Sequence, residues 1–133
     1  ISSLLLVNLN VLGDLLPISD KFIQTIGRIE SNNNDFIIGD SGRSISRYQI
    51  QRNCYLDARE YNKNITFPYE SLTNSNNAKI VLISYLNRYC KNEIKNNDYE
   101  SLARAWNSGP NWKKKINLTN KYVERFKIAW NEN

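Results

Sequence analysis

Hydrophobic and polar positions alternate along this chain with mostly helical periods. The opening stretch, Ile1 to Leu16, is rich in apolar residues (Leu4, Leu5, Leu6, Val7, Leu9, Val11, Leu12, Leu15, Leu16) but is broken by Asn8, Asn10, Gly13 and Asp14. It therefore falls short of the ~18 uninterrupted apolar residues of a membrane span. Its expected role is a first helix packed on the core, with the remnant of a processed leader as the alternative. After Pro17, Ser19-Asp20 predicts an N-cap for a helix through Lys21 to about Ser31, with Phe22, Ile23, Ile26 and Ile29 on its apolar face. The run Asn32-Asn33-Asn34 ends it. Apolar residues on either side of Gly39-Asp40-Ser41-Gly42, from Phe36 to Ile50, predict a small β-hairpin.

Downstream, Leu56, Ala58 and Tyr61 predict a helix from about Gln51, and a loop with Pro68 follows. A strongly periodic helix is expected from about Ser75 to Cys90, with Ile80, Val81, Ile83, Leu86 and Tyr89 as its apolar positions. Asp98 is placed to cap a helix over Tyr99 to Asn107, closed by Ser108-Gly109-Pro110. Thr119 is placed to cap the last helix, which carries Tyr122, Phe126 and Trp130. Helices around one short hairpin imply an α+β architecture, and a length of 133 residues suits one domain over the whole chain.

Composition narrows the chemistry. Apolar residues at 41% and charged residues at 23% exclude a disordered chain, a fibre or a multi-span membrane protein. Eighteen Lys and Arg against 13 Asp and Glu give a net charge of +5, which favours an anionic partner: nucleic acid, acidic lipid or an anionic wall polysaccharide. There is no His, so Ser-His-Asp, Cys-His and His-metal chemistry are excluded, and acid–base work falls to carboxylates, Tyr, Lys or Cys. No cofactor and no metal are expected. Cys54 and Cys90 are too few and too far apart for a zinc knuckle; one disulfide and two buried free thiols are both open. The chain has no Met and opens on Ile1, which points to a start removed or missing from it.

Four segments then occur in a telling order: Glu30-Ser31 at a helix end, Tyr48-Gln49-Ile50 after a turn, Ala103-Arg104-Ala105-Trp106-Asn107-Ser108-Gly109-Pro110, and Thr119-x-x-Tyr122-Val123-x-Arg125-Phe126. Together they resemble the lysozyme superfamily, in particular lytic transglycosylases and invertebrate-type lysozymes, including those carried by phages. The resemblance spans about residues 20 to 127. It implies a mostly helical lysozyme-like fold, with a small β-hairpin beside a cleft, that cuts the MurNAc-GlcNAc β-1,4 bond of peptidoglycan. The chain departs from the family pattern in three places. Ser46-Arg47 stands for Gly-Pro, Trp106 for Tyr or His, and Ser108 for the first Gly of Gly-Gly-Pro. It also has cysteines for at most one of the disulfides of the invertebrate-type enzymes.

The resemblance makes Glu30 the general acid, and the apolar residues Ile26 and Ile29 before it agree, because a carboxyl in an apolar setting keeps its proton. An exposed helix-end carboxylate near Arg28 is the plainer alternative. Asp40 is the candidate second carboxylate, one position from the family's Asp, or else an ordinary turn residue; Asp35 is a weaker candidate. Gln49 and Asn107 suit hydrogen bonds to sugar hydroxyls and N-acetyl groups. Tyr48 and Trp106 suit stacking on pyranose faces or packing in the core. Ser31 suits orienting Glu30 or a sugar. Arg43, Arg47, Arg52 and Lys113-Lys114-Lys115 suit acidic wall polymers, or a merely solvated face for the lysines, beside a Trp112 that also suits the core.

Three functional classes follow. The first is a muramidase, secreted or virion-associated, whose partner is the peptidoglycan glycan strand. The second is a catalytically weak or inactive lysozyme-like domain that binds wall as part of a larger particle such as a virion. The third is a small basic nucleic-acid-binding domain, for which no helix-turn-helix, zinc-finger or RRM signature is present. Neither nucleic-acid binding nor stable membrane insertion is expected.

Overall fold

A computed structural model describes residues 11–132. It is mostly helical with one small antiparallel sheet, an α+β arrangement. Helix α1 (Asp20–Ser31) begins where expected: the Ser19 hydroxyl accepts the Phe22 N–H, and Asp20 in the first turn and Arg28 in the last complement the helix dipole. Phe22, Ile23 and Ile26 face inward. The helix stops because Asn32 turns left-handed (φ 56°), and its N–H closes on the Arg28 carbonyl at 2.9 Å. That stop leaves Glu30 as the last residue but one of the helix.

The hairpin forms and gains a third strand. Strands β1 (Ile38–Gly39), β2 (Ser44–Ile45) and β3 (Ile50–Gln51) pair antiparallel in that order, with Ile38 opposite Ile45 and Ile45 opposite Ile50. A single 3-10 turn, Asp40–Gly42, joins β1 to β2. Non-glycine residues take left-handed backbone at Asp40 (φ 51°), Ser41 (φ 57°), Ser46 (φ 70°) and Gln49 (φ 53°). Such strain gathers where the surrounding structure holds the chain in a required shape. Ser46 holds a positive φ without the conformational freedom that a glycine would have there.

Helix α2 (Arg52–Tyr61) follows directly. Its Leu56 is 41% exposed rather than core, so the inward face is carried by Tyr55 and Ala58. Helix α3 (Ser75–Tyr89) is capped by Asn74, whose side-chain oxygen accepts the Asn76 and Asn77 N–H groups. It is buried on nearly every side over residues 80–87. Its buried Asn87 is fully used, exchanging hydrogen bonds with the Leu16 backbone and donating to the Ile83 carbonyl. Leu15 and Leu16 pack against the core with Val11 and Leu12, as a core-packing N-terminal segment requires; residues 1–10 of that segment lie outside the described residues.

A short helix α4 (Lys91–Lys95), absent from the periodicity, leads to α5 (Tyr99–Ser108), which Asp98 caps through the Ser101 N–H and Gly109 ends at φ 95°. Helix α6 (Ile116–Glu132) corrects one expectation. Thr119 is not its cap but lies inside it, 1% exposed, because its hydroxyl is taken by Arg104 of α5 and by the Lys115 carbonyl. Trp112 belongs to the core, and Cys54 and Cys90 are free thiols. Among the described residues no helix is long and apolar enough to cross a membrane.

Gly27 lets the sheet reach α1. A Cβ there would lie 3.2 Å from both Arg47 Cγ and Tyr48 Cε1 and would collide with the Asn33 side-chain oxygen. Gly27→Ala is expected to cost about 1–3 kcal/mol through overpacking, measured by urea unfolding, despite the helix propensity gained. A neutral or stabilised variant would show that the Arg47–Tyr48 segment is free to shift.

Candidate active site

The sheet and α5 face each other across a cleft of about 650 Å³, and the end of α1 forms its floor. Glu30, Asp40, Gln49, Trp106 and Asn107 all line it, so residues distributed over nearly eighty positions of sequence converge on one hollow. Ser31 and Tyr48 do not. The Ser31 hydroxyl donates to the Arg47 carbonyl at 2.7 Å and accepts the Asn34 N–H, tying the end of α1 to the segment before β3. Tyr48 is 4% exposed and packs in the core, so its ring has no face to offer a sugar. Its contribution is its carbonyl, which accepts the Trp106 indole N–H at 3.2 Å and sets that ring.

Glu30 is the chemically distinctive group. Its carboxyl is pushed up to about 7, chiefly by burial; a hydrogen bond from Tyr122 and the charge of Arg125 act against the rise, and the charge of Asp40 adds to it. The Tyr122 hydroxyl, on α6, donates to Glu30 Oε2 at 2.8 Å. Burial, followed by the neighbouring Glu30 charge, holds the Tyr122 phenol well above its ordinary range, so it remains a donor. Arg125 is itself held by the Ile29 carbonyl at 2.6 Å.

Asp40 is exposed at the cleft lip, where it accepts the Ser44 hydroxyl at 2.6 Å. It is close enough for its charge to register on Glu30. Gln49 spends its amide N–H groups on the Ile37 and Ser46 carbonyls (3.1 and 2.9 Å), fastening the loop that its own left-handed backbone shapes. Its side-chain oxygen lies so close to Gly39 that a Cβ there would collide with it. Trp106 stands edge-on to Tyr85 (5.8 Å between centroids), and Asn107 is exposed and lines the cleft. Asp35 is bonded to Arg47 at 2.8 Å and takes no place in the lining.

Two lining residues carried no signal in the motifs. Asp57 accepts hydrogen bonds from Arg88 and the Tyr89 hydroxyl, and Tyr85 backs Trp106. Cys54 also reaches the cleft, but burial and then Asp57 push its thiol far up, so it is no nucleophile. Among the described residues no group of His, Cys, Asp and Glu is placed to hold a metal ion. The arrangement therefore offers one half-buried carboxyl with a raised pKa, a second carboxyl group lining the same cleft, an indole wall and a primary amide. Comparison with protein-family models, curated proteins and solved structures finds no match to this chain.

Proposed function

We propose that this chain is a lysozyme-superfamily muramidase, a lysozyme or lytic transglycosylase, that cuts the MurNAc-GlcNAc β-1,4 bond of peptidoglycan with Glu30 as general acid. The observation that carries the reading is a carboxyl held near pH 7 at the floor of an open cleft, beside a second carboxylate. Glycosidic cleavage requires a proton on the leaving oxygen and charge stabilisation at the anomeric carbon. Glu30 supplies the proton, and Asp40, which lines the same cleft, is the candidate for the charge stabilisation. Once deprotonated, Glu30 becomes the base that activates either water or the sugar 6-hydroxyl. Trp106 offers an apolar face for a pyranose and Asn107 an amide for an N-acetyl group. Such a substrate sets the protein to work outside the cytoplasmic membrane, secreted or carried on a virion.

Wall binding without turnover is the competing reading, favoured by how much of the motif is spent on structure: the Gln49 amide, the Ser31 hydroxyl and the Tyr48 ring are all committed within the protein. One experiment separates the two. Purified peptidoglycan is incubated with the protein or with Glu30→Gln and the products are weighed by mass spectrometry. Hydrated reducing ends that require Glu30 mark hydrolysis, and 1,6-anhydro ends mark transglycosylation. Binding with no Glu30-dependent product would leave only the wall-binding role.

Tyr122→Phe tests whether Glu30 sets the alkaline limb. The Tyr122 hydrogen bond favours the charged form of Glu30, so its loss raises the Glu30 pKa further. A general acid works only while protonated, so the alkaline limb of the pH–rate profile is expected to move up in Tyr122→Phe. It is expected to move down in Asp40→Asn, where a charge that raises the Glu30 pKa is removed. Identical alkaline limbs in all three proteins would mean that another group sets the profile.

A further inference from the structure

Beside the cleft lies a second hollow of about 430 Å³, lined by Gly42, Arg43, Gln51, Arg52, Asn53 and Tyr69. Gln51 and Asn53 line both, so the two spaces adjoin. Its charge is one-sided, with two guanidinium groups and no carboxylate in the lining. Arg43 spends its Nε–H on the Asp40 carbonyl at 3.0 Å, and its two outer amino groups have no protein partner among the described residues. Arg52 is steadied over the Tyr69 ring, 4.4 Å from its centroid, and reaches Glu70 at 3.2 Å outside the lining. That ion pair is exposed on both sides (59% and 73%), so exchanging Glu70 for a ligand carboxylate loses little. The other arginines around the cleft are engaged differently, with Arg47 locked to Asp35 and Arg104 and Arg125 bonded between helices.

Guanidinium forks are matched to carboxylates, and the Gln51 and Asn53 amides beside them are matched to peptide groups. Because this hollow adjoins the cleft across Gln51 and Asn53, a side branch of a chain lying in the cleft can reach it. We propose that the hollow receives the carboxylate-bearing peptide stem of the glycan strand, with Arg43 and Arg52 recognising it, so that the substrate is stem-bearing rather than stripped glycan. This rests on the muramidase reading for the identity of the strand.

The test uses soluble glycan strands with their stems and the same strands stripped by an amidase. Affinity is measured with Glu30→Gln, and kcat/KM with the unaltered protein. The stem-bearing strand is expected to be preferred by about tenfold or more, the scale of one charge-assisted contact. The preference is expected to shrink as salt rises and to fall to about one when Arg43→Gln and Arg52→Gln are combined. Equal treatment of the two strands, or a preference that survives the double substitution, would overturn the proposal. Preferential binding that depends on both arginines without any cleavage would uphold the hollow's role and remove the muramidase reading. Failure to bind either strand would overturn both.

Discussion

Glu30→Gln is expected to lower glycan cleavage by about 10²–10⁴-fold, the usual contribution of a positioned general acid. The same substitution is expected to stabilise the protein at pH 8. Both effects come from one carboxyl. In the unfolded chain it titrates near its ordinary 4.5, and in the fold near 7. A carboxyl whose folded pKa is raised contributes stability that is fully present below about 4.5. That contribution is lost as pH climbs through about 7, because the folded state must then either hold the proton or bury a charge. At 1.36 kcal/mol per unit, the penalty above pH 7 is about 3 kcal/mol. Gln never ionises, and its carbonyl can still accept the Tyr122 hydroxyl, so the variant avoids the penalty and keeps the hydrogen bond. Urea unfolding of both proteins at pH 4 and pH 8 reads the difference. It is expected to be near zero at pH 4 and to favour the variant at pH 8. A stability difference that does not change with pH would mean Glu30 is an ordinary solvated carboxylate, and the acid role would fall with it. The site is thus a place where folding stability is given up for a proton held at neutral pH.

The part of this site that the sequence reveals is the part set by local rules. Ser19, Asn32, Asp98 and Gly109 act at helix ends through their own backbone neighbours, so the ends of α1 and α5, and with them Glu30, Trp106 and Asn107, are legible without a fold. The turn at Gly39–Gly42 is legible for the same reason. What is not legible is set by distant partners. Tyr122 reads as one more apolar position of a helix, and only packing brings its hydroxyl to a carboxylate 92 residues away. Tyr48 offers the same letters to a sugar-stacking wall and to a core; its place under α1, allowed by the missing side chain at Gly27, decides for the core. Thr119 has the chemistry of an N-cap, but Arg104 takes its oxygen and the helix starts a turn earlier.

Arg104→Ala is expected to be the most destabilising of these substitutions, by about 2–3 kcal/mol. Arg104 is 8% exposed and joins α5 to the first turns of α6. Its Nη1 donates to the Ile116 carbonyl at 2.9 Å, Thr119 Oγ1 at 2.7 Å and Asn120 Oδ1 at 3.0 Å, while Nη2 pairs with Glu100 at 3.1 Å. The Ile116 carbonyl sits in the first turn of α6. Removing the guanidinium takes the donor from Thr119 Oγ1, which is 1% exposed, and leaves a gap between the helices, while Ile116, Asn120 and Glu100 keep access to water. Arg104→Met separates the two causes, since it refills the volume without any donor; it is expected to recover less than half of the loss. Arg104→Lys is also expected to fail, because one ammonium cannot serve acceptors spread over two sides. The consequence reaches the chemistry. Helix α5 carries Trp106 and Asn107, α6 carries Tyr122, and Arg104 fastens one to the other between them. Loosening that joint lengthens the Tyr122 contact to Glu30, so the surviving folded protein is expected to show an alkaline limb moved up, in the direction of Tyr122→Phe. Near-native stability in Arg104→Ala would mean that solvent replaces the guanidinium and that the two helices are held by their apolar faces alone.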